Sequence, residues 1–123
     1  MIRLVAIAAG GAIGALLRFW VSNGIYALLG RDFPYGTLAV NLLGCLLMGF
    51  LYIFLLERLV SAEWRAALLI GMLGAFTTFS TFSLETLNLL QDGEHFKALI
   101  NIFISVLLCL LATWLGMNLA RQL

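Results

Sequence analysis

Charge is what this sequence most lacks. Seven Lys/Arg and six Asp/Glu residues make up 11% of its 123 positions, where a soluble domain carries about 25%. A small globule has too much surface for so few charges to cover, which excludes an ordinary water-soluble domain. Intrinsic disorder is excluded as well, because it needs many charges and low hydrophobicity. The net charge of +1, from scattered basic residues, leaves no electrostatic footprint for nucleic acid. Two cysteines, Cys45 and Cys109, stand inside apolar runs and give neither a disulfide framework nor a metal-finger spacing. His95 is the lone histidine, in a loop beside Glu94, and it is assigned no role. Without a Ser-His-Asp set, paired carboxylates or a metal-ligand cluster, enzymatic catalysis has little to stand on. What the chain has in abundance is hydrophobicity: 63% of its residues, with a mean hydropathy of +1.09.

That hydrophobicity falls into four runs, at about residues 4–29, 37–56, 66–90 and 98–120. Each reaches the roughly 20 residues that an α-helix needs to cross the hydrocarbon core. Helices satisfy their own backbone hydrogen bonds, which lipid cannot do. The expected fold is an all-α, four-span transmembrane bundle forming a single domain over residues 1–123. The first run is too long for a signal-peptide core and is followed by three like it, so it reads as a retained span. Pro34, the only proline, breaks the first connection, and Ser61 is a plausible N-cap for the third helix.

Four spans put both termini on one side. That side and the second loop carry Arg3, Arg58, Arg65 and Arg121, while the other carries Arg31 and Lys97. A four-to-two bias is weak as a determinant of orientation. It is compatible with one topology and with insertion both ways round.

Polar groups in hydrocarbon are costly, so each needs a reason. Arg18, near the middle of span one, either snorkels to the interface or attracts anions into a vestibule. Gly10 and Gly14 form a small-xxx-small pair suited to close helix packing. In span two, Thr37, Asn41, Gly44 and Met48 share a helix face. Spacing alone favours Asn41 as interhelical glue over a pore-lining donor. Span three reads Gly71-Met72-Leu73-Gly74-Ala75-Phe76-Thr77-Thr78-Phe79-Ser80-Thr81-Phe82-Ser83. Two glycines and five hydroxyl residues at mid-membrane predict a broken helix, tolerated only in protein or along a cavity. A stripe of Phe76, Phe79 and Phe82 is by default packing, yet a phenyl ring has a positive edge that can face an anion. In span four, Asn101, Ser105 and Cys109 form a polar stripe at i, i+4, i+8.

Three motifs together resemble the CrcB/Fluc fluoride channels. They are Gly10-Gly11-xx-Gly14-Ala15-xx-Arg18, Gly36-Thr37-Leu38-xx-Asn41-xx-Gly44, and Gly74-xx-Thr77-Thr78-Phe79-Ser80-Thr81-Phe82-Ser83-x-Glu85. The likeness spans the whole chain in length, span count and motif order. It implies a dual-topology, antiparallel homodimer in the bacterial inner membrane that passively exports cytoplasmic fluoride and relieves its toxicity. It implies pore phenylalanines at Phe79 and Phe82, a pore asparagine at Asn41 and a hydroxyl track at Ser80 and Thr81. Arg18 then matches a vestibule arginine, Glu85 an acidic residue near the pore end, and Ser105 a pore serine. Gly74 and Thr77 match positions whose backbone carbonyls hold a central sodium ion. Asn101 and Cys109 depart from the family pattern, where some members have tyrosine and serine. Two other readings compete: a four-span multidrug-type exporter, and a non-transporting assembly subunit. The exporter needs a membrane-embedded acid, and span one offers Arg18 instead.

Overall fold

The computed structural model describes all residues, Met1–Leu123. It is entirely helical: α1 (Ile2–Leu29), α2 (Tyr35–Glu57), α3 (Ala62–Arg65), a π-helical segment (Ala66–Leu73), α4 (Gly74–Phe76), α5 (Phe79–Gln91) and α6 (His95–Arg121). Four stretches are long and apolar enough to cross a membrane: Ile2–Leu29, Tyr35–Glu57, Ala62–Gln91 and His95–Arg121. The 28 residues of α1 extend about 42 Å at ~1.5 Å per residue, longer than a hydrocarbon core of about 30 Å, so this helix tilts or protrudes.

The connections use local turn chemistry. Ser61 accepts from the Trp64 N–H at the start of α3. After α5, Gly93 takes φ +80° while its own N–H and that of Glu94 return to the carbonyls of Leu90 and Leu89. That paired closure is the usual use of a left-handed glycine beyond a helix end.

Two seams organise the bundle: α1 packs on the π-helical segment, and α2 on α6. Small residues set both distances. A Cβ on Gly10 or Gly14 would run into the backbone carbonyls of Ala67 or Met72. A Cβ on Gly49 or Gly116 would run into those of Thr113 or Leu46. Between four successive spans, alternate helices run parallel, so α2 and α6 are parallel neighbours.

The buried core is small. Only 22 of the 123 residues are buried, and large apolar side chains such as Phe19, Trp20, Phe79, Phe103 and Trp114 are more than half exposed. A surface this apolar belongs against lipid or another protein surface. At the centre lie Val40, Leu73 and Asn101, all but fully enclosed.

The third span does not run through as one helix. Thr77 (φ −83°, ψ 157°) and Thr78 (φ −151°, ψ 123°) are extended between α4 and α5. β-Branched threonine tolerates extended backbone well, and Gly44 of α2 leaves the space that the Thr77 methyl and Phe76 ring occupy.

Candidate functional site

The extended Thr77-Thr78 segment is held by specific bonds. Asn41 of α2 accepts from the Thr78 N–H through Oδ1 (2.8 Å) and donates to the Thr78 carbonyl through Nδ2 (2.9 Å). The Thr78 hydroxyl then caps α5, accepting from the Thr81 N–H at 3.2 Å. Asn41 therefore does two things with one amide, and one N–H on Nδ2 is left over.

These bonds have a cost elsewhere on the backbone. In an unbroken helix the Thr78 N–H would bond the Gly74 carbonyl, and the Thr81 N–H the Thr77 carbonyl. Asn41 takes the first donor and the Thr78 hydroxyl takes the second. Gly74 and Thr77 thus lose the i+4 partners of their carbonyls in the same short stretch. Gly74 is exposed on the single chain and Thr77 half-buried. Oxygens of this kind are the ligands a hard cation takes. Two carbonyl oxygens are the donor type that suits a sodium ion.

Two grooves flank the extended segment. The first, of about 220 Å³, is lined by Asn41, Phe79, Phe82, Ser105, Cys45 and Cys109, with Thr77, Thr78 and Val106 completing it. The Phe79 and Phe82 rings lie 5.3 Å apart, tilted by 45°. Phe82 is 9% exposed and Phe79 76%, so one ring is fixed in the bundle and the other projects from it.

The second groove, of about 350 Å³, holds Arg18 with Ser22, Thr37, Thr78 and Thr81. Thr78 is a wall of both. Arg18 is half-buried and has no carboxylate within ion-pair reach; the one ion pair in the chain is Lys97 with Glu94. Within one chain, Arg18 and the phenylalanine pair line different grooves. Ser80 is exposed and lines neither groove, though its hydroxyl is 3.3 Å from that of Thr78.

Glu85 opens on a third groove with Tyr26, Arg31 and Asp92. It accepts hydrogen bonds from the Tyr26 hydroxyl (2.6 Å) and from the Thr37 hydroxyl. Arg31 sits 4.4 Å above the Tyr26 ring. The carboxylate is thus bound by α1 and α2 rather than left free.

Span four divides. Ser105 and Cys109 face the first groove. Asn101 is 2% exposed, donates to the Thr86 hydroxyl at 2.9 Å and accepts from Ser105 at 3.3 Å. Thr86 in turn donates to the Phe82 carbonyl at 2.7 Å. This chain ties α6 to the helix that carries Phe82, and Asn101 is spent on it.

Sequence reasoning passed over Thr78 as the cap, Thr86 as the link and Tyr26 as the donor to Glu85. Thr78 alone carried a local signal, standing three residues before Thr81 at a helix start. The partners of Thr86 and Tyr26 are 15 and 59 positions away.

The profile described as CrcB-like protein, Camphor Resistance (CrcB), matches residues 5–117. Three relatives carry the name fluoride-specific ion channel FluC. That of Methylococcus capsulatus is 59% identical over 99% of this chain, which spans only about half, 54%, of that protein's length. That of Geobacter sulfurreducens is 52% identical over the full length of both chains. That of Magnetococcus marinus is 54% identical over 97% of this chain and 98% of its own.

Proposed function

From the premise that the chain belongs to the CrcB family, we propose that it is a fluoride-selective passive channel. Its direction in the cell is export of cytoplasmic fluoride across the bacterial inner membrane. The observation that carries this reading is the first groove. The spare Asn41 N–H, the Ser105 hydroxyl and the Phe79 and Phe82 rings meet there, beside a break in the third span.

The chemistry suits a small anion. The idealised cost of moving a small ion from water into a medium of low dielectric is of order 20 kcal/mol. Donors must therefore replace hydration along the whole route. The spare amide N–H of Asn41 and the ring edges supply neutral donors, while the Ser105 hydroxyl, whose proton goes to Asn101, adds polarity to the wall. None binds like a full charge, and weak multi-site binding is what conduction needs. Arg18, unpaired in its groove, raises the local anion concentration at one mouth. Thr81 shares that groove and with Ser80 makes up the hydroxyl track beside the phenylalanines, with Glu85 near the pore end.

A single chain leaves the route open-sided. Phe79 projects, and Gly74 is exposed. An antiparallel, dual-topology homodimer covers both, with the break in each third span set against its partner's. Two-fold pairing is the commonest oligomer symmetry. The Gly74 and Thr77 carbonyls from each subunit would hold one sodium ion, which supplies fixed positive charge near the anion path.

The deciding experiment is efflux from proteoliposomes read with a fluoride electrode. Fluoride flux far above chloride flux is expected. Equal fluxes, or no flux, overturn the reading.

A further inference from the structure

Cys45 and Cys109 are free, half-buried thiols, and both line the groove that holds Phe82 and Ser105. Their positions follow from the α2–α6 seam. Cys45 precedes Gly49 by one turn, and Cys109 precedes Thr113 by one turn. Gly49 and Thr113 are in backbone contact. Because the helices are parallel, stepping back one turn on each puts the two thiols opposite one another. Cys109 is close enough to Cys45 to interact with it. The backbone carbonyl of Cys109 is occupied by the Thr113 hydroxyl at 3.0 Å, and no hydrogen bond that shapes the break uses either sulfur.

We infer that Cys45 and Cys109 form a two-coordinate bis-thiolate site for a soft cation of the Hg(II), Ag(I) or Cu(I) kind, and that filling it closes the groove. Thiolate sulfur selects such ions over sodium, magnesium or calcium, which take oxygen. No group of three His, Cys, Asp or Glu side chains surrounds the pair, so an ion needing three or four protein ligands, such as zinc, is not served. A linear two-ligand ion is. On binding, two S–H protons pass to water and two metal–sulfur bonds form; no electron is transferred. The metal would occupy the groove directly beside Phe82. Binding stands on the thiol geometry alone, while closure rests on the conduction reading above.

The test titrates mercuric nitrate against purified protein and proteoliposomes. Near-ultraviolet sulfur-to-mercury absorption is expected to saturate at one metal per chain, with two thiols lost to a thiol reagent. Fluoride efflux is expected to fall at least tenfold and to return with excess dithiol. In Cys45→Ala and Cys109→Ala, and in Cys45→Ser and Cys109→Ser, which keep side-chain size, the binding midpoint is expected to weaken at least 100-fold. Two metals per chain, or an unchanged midpoint in either single variant, overturns the site. One metal per chain without loss of efflux overturns closure. Saturation at one metal in protein that passes no fluoride supports the site and overturns the conduction reading.

Discussion

Asn41 and Thr78, on different spans, exchange two hydrogen bonds, of 2.8 and 2.9 Å. The amide of Asn41 imitates a strand neighbour: it gives one bond to a peptide unit and takes one from it. That exchange lets the third span leave helical geometry inside the bundle with both backbone polar groups of Thr78 paired. It also redirects the N–H that would have satisfied the Gly74 carbonyl.

Replacing Asn41 by alanine leaves a buried N–H and C=O unpaired, at roughly 1–3 kcal/mol each. We expect Asn41→Ala to lower the unfolding stability of the detergent-solubilised protein and to cut fluoride efflux at least tenfold. Asn41→Asp keeps the acceptor for the Thr78 N–H. An ionised carboxylate would then face the Thr78 carbonyl, so the variant's stability should fall too, and flux is lost to a fixed negative charge in the groove. Equal stability in all three proteins would remove the clamp.

The two ring positions should separate experimentally. Phe82 is buried and Phe79 exposed, so Phe82→Leu should cost about 1 kcal/mol of stability and Phe79→Leu close to none in the monomer. Both should impair fluoride efflux with assembly intact by size exclusion. Unimpaired flux in the double variant would exclude the ring edges from the mechanism.

Thr77→Ala retains the carbonyl. The difference in thermal stability between sodium and a large organic cation should therefore survive in this variant, even if flux declines. Loss of the sodium-dependent difference would place the ligand on the side chain instead.

The seams predict opposite outcomes for two kinds of glycine. Gly116→Val forces α6 away from the Leu46 carbonyl and should cost about 3 kcal/mol or more. Gly24→Ala meets nothing within 4 Å and should be neutral or stabilising by up to ~1 kcal/mol. Chemical unfolding in detergent measures both.

The four membrane-capable helices were legible because hydrophobic run length alone carries that information. The unusual chemistry of the Thr77–Ser83 stretch was legible from its composition, since hydroxyls are expensive at that depth. The partner of Asn41 was not: Thr78 stands 37 positions away, and helical spacing names a face without naming what the face meets. Asn101 shows the same limit. Its i, i+4 relation to Ser105 holds as a hydrogen bond, yet its amide turns to Thr86 and away from the groove. The π-helical turn over Ala66–Leu73 has no local signature either. Apart from Gly71 its residues are ordinary helix formers, and it lies where α1 crosses at Gly10 and Gly14.

Three residue pairs on α2 and α6 share one offset. Asn41 with Ser105, Cys45 with Cys109 and Gly49 with Thr113 are each sixty-four positions apart. Two helices locked at one offset behave as a single ruled frame. Substitution at one rung changes one contact. Inserting or deleting one residue between rungs turns everything beyond it by about 100° and moves every later rung off its partner at once. The interior of these two helices should tolerate many changes of spelling and almost none of length.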